Sequence, residues 1–389
     1  MRIAILTETF LPKVDGIVNT LCRLLDYLDA SRHQVLVLAP RGAPRSYNAV
    51  PVHPLQAIPF PLYPGLHMIN PLVNLRPILD SFKPDLLHVV NPFMTGKAVA
   101  HYARRSQVPL VMSYHTDLPG FAERWGFGFI SEPARRYLRW VHNQADLNLC
   151  PSSATRQELL QYGYERLRIW TRGVDTELFT PDRRSAEWRN RLSAGNPDAP
   201  LLLYVGRLSA EKRIGWLLPV LRALPHVRLA LVGDGPQRNE LQELFAGLPV
   251  VFTGFLRGEA LAGAYASADL FVFPAANETF GNVALEATAA GLPVVAPRAG
   301  GVLDTVIHGH NGLLCDPEEP EDLVAKVSEL VHNPATISAM GASARQFALK
   351  RKWADVFKQL VNDYCEVISR PRRHNLRPRW LPSFESIKE

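Results

Sequence analysis

The chain has no D-x-D triplet, no H-E-x-x-H, no C-x-x-C pair and no P-loop, and each gap removes a class of chemistry. Without the acidic triplet there is no signal for a protein-held divalent ion, and the twelve histidines are scattered without ligand spacing. Four cysteines (Cys22, Cys150, Cys315 and Cys365) lie far apart, which reads as reduced, buried thiols rather than a disulfide framework. No apolar run reaches the ~18 residues that cross a bilayer. The apolar part of MRIAILTETF is too short for a secretory leader and is interrupted by Glu8, so it reads as a first strand. A cytoplasmic protein is the expectation. No complete G-x-G-x-x-G exists, which counts against a dinucleotide dehydrogenase. Net charge is +6, which favours phosphates or anionic lipid as partners; nucleic acid is not expected, because no recognition motif accompanies the charge.

What is present is length and alternation. At 389 residues and 47% hydrophobic, the chain exceeds one ordinary core and suggests two domains. Its most informative stretch is NETFGNVALEATAAGLPVVAPRA, Asn277 to Ala299. The apolar run from Ala268 to Pro274 precedes it with the length of a buried strand. A turn at Phe280-Gly281-Asn282 then opens a helical pattern that ends before Gly291 and Pro293, and the next strand follows. Glu278 falls at the strand's carboxyl end and Glu286 about one turn into the helix. In open α/β sheets ligands bind at that edge, where free N–H groups of a helix favour an anion. Phosphate flanked by two acceptors for hydroxyls describes a nucleotide-sugar site.

The same alternation runs along both halves. Strands are predicted at Arg2–Thr7, Gln34–Ala39, Asp85–Val90, Leu110–Tyr114 and Ala145–Cys150, with a first helix over Ile17–Asp29. The turn before that helix ends in Gly16. The Val50–Asn74 segment, with six prolines, reads as irregular surface chain. His115 stands at a strand's carboxyl edge, where a structural and a ligand role are equally open. The stretch PGFAERWGFGFISEPARRYLRW interleaves Phe121, Trp125, Phe127, Phe129, Tyr137 and Trp140 with Arg124, Arg135, Arg136 and Arg139. Such composition suits either an anionic membrane surface or a helix that buries its aromatics and leaves its arginines in water. In the second half, GRLSAEK puts Arg207 and Lys212 between a strand end and a helix start, where two cations clamp a diphosphate. The domains are expected at 1–180 and 200–369, with a linker over 181–199 and a basic tail over 370–389.

Taken together, Gly16, His115, Arg207 with Lys212, and Glu278-x7-Glu286 resemble the family 4 retaining glycosyltransferases, from TETFLPKVDGI to the GLLCDP turn. The resemblance implies an α/β chain of the GT-B kind: two doubly wound Rossmann-like domains facing across a cleft, with the donor in the second. It implies Arg207 and Lys212 at the diphosphate, and Glu286 at the ribose. Glu278 would hold the sugar's hydroxyls beside the N–H groups of Phe280, Gly281 and Asn282. His115 would reach the reacting region from the first domain, and Gly16 would let its turn approach the phosphates. No metal and no cofactor are expected. TETFLPKVDGIV, HVVNP, SYHTDLPG, HNQADLNLCPS and RGVDTELF are similar to sulfoquinovosyltransferases that act on diacylglycerol, and equally to α-mannosyltransferases that use GDP-mannose. The expected acceptor is a membrane glycerolipid, with peripheral contact at the inner face of the plasma membrane. The donor base and sugar stay open. A nucleotide-sugar 2-epimerase shares the GT-B architecture and is the alternative of another class, but it is expected to lack the Glu-x7-Glu and Arg207/Lys212 combination.

Overall fold

Each of the two series of apolar runs closes into its own parallel sheet. The structure is a computed structural model, and it describes residues 1–13, 15–59, 67–117, 120 and 128–370. In the first half the strands are β1 (Arg2–Thr7), β2 (Gln34–Pro40), β3 (Ser46–Tyr47), β4 (Val50–Leu55), β5 (Ala57–Pro59), β6 (His67–Ile69), β7 (Leu86–Val90), β8 (Leu110–Ser113), β9 (Leu147–Cys150) and β10 (Leu167–Ile169). Eight of them form one sheet in the order β10-β9-β8-β7-β1-β2-β4-β3, parallel except for β3. Its helices are α1 (Gly16–Ala30), α2 (Arg76–Phe82), α3 (Gly96–Ser106), α4 (Gly128–His142) and α5 (Ser153–Gln161).

The second half repeats the scheme. Its strands are β11 (Leu201–Val205), β12 (Arg228–Val232), β13 (Val250–Gly254), β14 (Leu270–Val272), β15 (Val294–Pro297) and β16 (Gly312–Cys315), all parallel, in the order β13-β12-β11-β14-β15-β16. The helices are α6 (Ala186–Leu192), α7 (Leu217–Ala223), α8 (Arg238–Leu244), α9 (Gly258–Ser267), α10 (Asn282–Ala289), α11 (Pro320–Val331), α12 (Pro334–Leu349) and α13 (Trp353–Ser369). Near-continuous apolar strands such as Leu201–Val205, buried at every residue, are what two helix-covered faces require.

Helix spacing decides which face is covered. On α1 the residues Leu21, Leu24, Leu25 and Leu28 all turn inward onto Ile3, Ile5, Val35 and Val37. Burying each such leucine is worth about 1.5–3 kcal/mol. Asp15 caps this helix by accepting from the N–H groups of Ile17 and Val18 at 3.0 and 2.9 Å. On the opposite face of the sheet α2, α3 and α4 cover Ala4, Leu6, Leu87 and Val89.

Three expectations change. The proline-rich segment is partly strand: β4 pairs in parallel with β2, with Val50, Val52 and Leu55 buried while Pro51 and Pro54 face out. Its prolines sit where no donor is needed for that pairing. The second domain does not run from 200 to 369. Its core takes in Val174, Phe179 and Leu192, so the expected linker 181–199 carries structure that packs with this domain. At the other end α13 leaves that core, and Val356, Phe357, Leu360, Tyr364 and Val367 pack against the first domain. Helical spacing alone does not show which of two cores a helix serves. Residues 371–389, nearly all of the expected basic tail, lie outside the described residues.

The chain therefore crosses between domains twice, at Gly173–Val174 and at Arg351–Trp353. The two crossings lie side by side, with the N–H of Val174 donating to the carbonyl of Arg351 at 2.9 Å.

Candidate functional site

Each sheet has one place where strand order reverses. In the second it lies between β11 and β14, and beyond the carboxyl ends of two such strands is where open α/β sheets bind their ligands. The loop after β11 carries Gly206 to Lys212. It is pinned by the Tyr204 hydroxyl, which donates to the carbonyl of Arg207 at 3.0 Å, and by the N–H of Leu208 on the carbonyl of Asp234 at 3.0 Å. This leaves the Arg207 side chain exposed and brings Lys212 back over the Phe273 ring, with Nζ 6.0 Å from its centre. The loop after β14 delivers Glu278, and Lys212 Nζ forms an ion pair with Glu278 Oε1. The carbonyl of Glu278 is held by the N–H of Gly301 at 2.7 Å. The two residues predicted to serve diphosphate and sugar are thus paired with each other.

The turn continues directly into α10. Gly281 sits at its N-cap with φ 84°, a left-handed conformation that glycine adopts without a Cβ penalty. The first N–H groups of such a helix have no partner inside it and present partial positive charge toward the crevice. Across from them α1 begins at Gly16, where a Cβ would stand 3.3 Å from Asn282 Nδ2. Two helix N-termini, one from each domain, therefore face each other across a gap only as wide as glycine allows. Asn282 Oδ1 is buried and has no hydrogen-bond partner among the described residues.

Glu286 follows one turn later. Its Oε2 accepts from the Tyr265 hydroxyl at 3.0 Å. Burial pushes its carboxyl up to about 7, against smaller pulls from Tyr265 and Arg23. Arg23 belongs to α1, so the first domain reaches this carboxylate electrostatically.

His115 follows β8 and is buried, and its ring is taken up by the chain itself. Arg172 donates to Nδ1 at 2.7 Å and Nε2 lies 2.8 Å from Ser113 Oγ. Since arginine only donates, the ring carries its proton on Nε2 and gives it to Ser113. Burial, then the Arg172 charge, hold the imidazole well below its usual pKa, so it stays neutral. Ser113 continues to His88 at 3.0 Å, and His88 Nδ1 to the Tyr364 hydroxyl of α13 at 2.6 Å. What His115 offers to the second domain is its backbone carbonyl, which accepts from Thr279 Oγ1 at 3.3 Å.

Sequence reasoning missed several groups. Arg172, in the RGVD segment, is buried, bonds the carbonyl of Trp170 at 2.9 Å, and has its pKa lowered to about 10 by desolvation. Thr155 Oγ1 donates to the Thr279 carbonyl at 3.5 Å, and the N–H of Ser153 to Asp304 Oδ2 at 2.6 Å, both across the domains. Ser152 caps α5 as the sequence suggests, but nothing local marked its neighbour Ser153 as having a partner 151 residues away. Of the aromatic-basic stretch, Phe121, Arg124, Trp125 and Phe127 lie outside the described residues. In α4, Tyr137 and Trp140 pack on the core, Arg135 and Arg136 both pair with Glu132, and Phe129 is 78% exposed.

Two domain families match most of the chain: "Glycosyltransferase Family 4" over residues 14–178 and "Glycosyl transferases group 1" over 199–333. The sulfoquinovosyl transferase SQD2 of Arabidopsis thaliana is 37% identical over 360 residues, covering 90% of this chain and 70% of its own length. A GDP-mannose-dependent alpha-mannosyltransferase of Mycolicibacterium smegmatis is 40% identical over 379 residues, covering 95% and 98%. Among solved structures, sucrose-phosphate synthase from Thermosynechococcus elongatus superposes with a TM-score of 0.76 at 23% identity, over 94% of this chain and 98% of that one. The Anabaena protein HepE in complex with UDP gives 0.75 at 24%, over 94% and 100%. At these identities the solved structures speak for the fold alone, and it is the two-domain GT-B arrangement.

Proposed function

The chain belongs to glycosyltransferase family 4 and is a glycosyltransferase working from a nucleotide-sugar donor; on that premise we propose that it moves the sugar, with retention, from a UDP-sugar to a membrane glycerolipid such as diacylglycerol. The observation that carries the reading is the meeting of Lys212 and Glu278 at the strand-order reversal, beside the N-terminus of α10 and opposite Gly16. The donor's diphosphate takes the place of Glu278 on Lys212. Arg207 and the N–H groups of Phe280, Gly281 and Asn282 complete the cradle. Glu278, released, accepts from hydroxyls of the sugar, and Glu286 from the ribose.

When the bond from the anomeric carbon to the phosphate oxygen breaks, negative charge grows on the departing phosphate. Lys212, Arg207 and the α10 N-terminus are aimed where that charge develops, and losing one such partner costs about 3–4 kcal/mol of transition-state stabilisation. The acceptor's hydroxyl oxygen forms the new bond on the face the phosphate leaves, and its proton passes to the departing phosphate oxygen. Glu278 is a ligand of the sugar in this scheme, not a nucleophile. The two cations fill the place that a metal holds elsewhere, and no cofactor takes part. His115 contributes through its carbonyl and through the loop it anchors.

The lipid end of the reading is supported by α4, which exposes Phe129 and, about two turns further on, Arg136, 71% exposed at its side chain, and suits peripheral contact with anionic membrane. A GDP-mannose donor is the second reading. It is favoured by the mannosyltransferase relative matching over 98% of its own length, against 70% for SQD2. Calorimetric titration with UDP, GDP and their sugar derivatives separates the two. Preference for UDP, and for a UDP-sulfosugar over UDP-glucose, is expected from the first reading. Preference for GDP-mannose replaces it with the second, and binding of neither overturns both.

A further inference from the structure

The first sheet has its own strand-order reversal, between β1 and β7, and by the same rule its crevice opens at the carboxyl ends of those strands. Glu8 is the residue that follows β1. It reaches across the reversal to the loop after β7, where its Oε1 accepts from the N–H of Met94 at 2.6 Å, the N–H of Thr95 at 2.9 Å and the Thr95 hydroxyl at 3.0 Å. Thr95 is the N-cap of α3 and makes no side-chain cap bond of its own. Beside Glu8, Thr9 Oγ1 is buried and has no hydrogen-bond partner among the described residues. Eight positions further along the same loop stands Gly16, against Asn282 of the donor turn.

Capping α3 does not require a carboxylate here. A serine or asparagine satisfies the same donors without burying a charge. Burial pushes the Glu8 carboxyl up to about 7 in spite of the bonds from Thr95 and Met94, so the site holds a group whose charged form costs stability. All three bonds address one oxygen, while the residue keeps part of its surface open. A carboxylate whose charged form is costly, placed at the ligand edge of a parallel sheet, is a candidate for meeting a ligand.

We propose that Glu8 binds the acceptor: its Oε2 accepts a hydrogen bond from a hydroxyl of the acceptor alcohol and holds that hydroxyl at the β1–β7 crevice, facing the donor turn across the cleft. The proposal rests on the glycosyl-transfer reading. It makes the two crevices counterparts, each with a carboxylate for hydroxyls: Glu278 for the donor's sugar and Glu8 for the acceptor.

Glu8→Gln tests it, because the amide oxygen still accepts from Met94 and Thr95 while the charge is gone. Thr95→Ala is the control, since it disturbs the same cap and leaves the carboxylate. The readouts are UDP and GDP binding by calorimetry, hydrolysis of the nucleotide-sugar without acceptor, and transfer to dioleoylglycerol in phosphatidylglycerol vesicles and to octyl glucoside. Glu8→Gln is expected to bind nucleotide and hydrolyse donor as the wild type does. Its acceptor kcat/KM should fall about ten- to a hundredfold, the scale for one hydrogen bond to a charged group. Wild-type transfer by Glu8→Gln, equal loss of donor binding, or the full loss reproduced by Thr95→Ala overturns the proposal. A wild-type protein that transfers to neither probe removes the glycolipid reading and the proposal with it. Transfer that survives unimpaired in Glu8→Gln removes the proposal alone.

Discussion

Replacing Glu286 by glutamine should stabilise the protein above pH 7 and leave it unchanged near pH 4. The carboxyl is raised from 4.5 to about 7 by burial. A raised folded-state value means that the group's contribution to stability is fully present below the unfolded pKa and is lost as pH rises through the folded one. The difference is ~2.5 pH units, a ceiling of ~3.4 kcal/mol at 1.36 kcal/mol per unit. Glu286 keeps part of its surface, and water screens that part, so about 1–2 kcal/mol is the working figure. Glutamine never ionises, yet its oxygen still accepts from the Tyr265 hydroxyl. For domains of this size about 2–4 °C of Tm accompanies each kcal/mol, so the variant should melt ~3–6 °C higher at pH 8. Calorimetric or dichroism melts at half-unit steps from pH 4 to 9 give the two curves. They should coincide at the acid end, separate between 4.5 and 7 and run parallel above. Curves that stay parallel throughout, or a variant less stable at pH 8, would refute the claim that burial governs this carboxyl.

Three other outcomes are expected. Lys212→Ala should slow transfer about a hundredfold or more at saturating donor, and near-normal turnover would remove Lys212 from the mechanism. Gly16→Val places branched carbons where a single Cβ already stands 3.3 Å from Asn282 Nδ2. It should therefore weaken nucleotide-sugar binding about tenfold or more while shifting Tm by only a degree or two; unaltered affinity by calorimetry would mean that the two helix starts do not meet in the working enzyme. Transfer should also persist in EDTA, and activity abolished by the chelator and restored by a divalent ion would contradict the metal-free scheme.

Much of this site is local in sequence, which is why it is legible there. Glu278, Gly281, Asn282 and Glu286 fall within nine consecutive residues on one strand–turn–helix unit, and the unit forms as its apolar run, glycine and helical spacing indicate. Arg207 and Lys212 belong to the neighbouring unit, and parallel pairing of β11 with β14 brings their loops together. The first-domain half is less legible because its partners are distant. The His115 ring turns toward Arg172, 57 residues on, and the relay ends at Tyr364, 276 residues from His88. No local pattern specifies such pairs. The second domain was expected to run to 369, but an amphipathic stripe such as that of α13 does not name the core it will cover, and this helix returns to the first domain. Glu8 was visible only as a charge interrupting an apolar run. Its meaning depends on β7, which lies nearly eighty residues later and becomes its neighbour by a crossover.

The joint between the domains and the donor turn bear on one another. At the joint, a Cβ on Gly173 would lie 2.6 Å from the backbone of Trp353, so the two crossings are packed too closely to move independently. Away from it, the contacts described across the cleft are polar: Thr279 with the His115 carbonyl, Thr155 with the Thr279 carbonyl, and Ser153 with Asp304. The two threonine bonds are neutral and worth about 0.5–1.5 kcal/mol net each, and each bond to the Asp304 carboxylate about 1.5–3 kcal/mol, so the halves are held by a few contacts of a size that ligand binding matches. Two of those contacts use Thr279, the residue between Glu278 and Phe280. On the donor-binding reading, a diphosphate that draws Glu278 away from Lys212 acts on the turn that also carries Thr279. Filling the second domain's crevice then adjusts the position of the first domain's His115 loop. On that reading donor binding is expected to precede acceptor binding, and initial-rate kinetics in which the acceptor binds first would refute it.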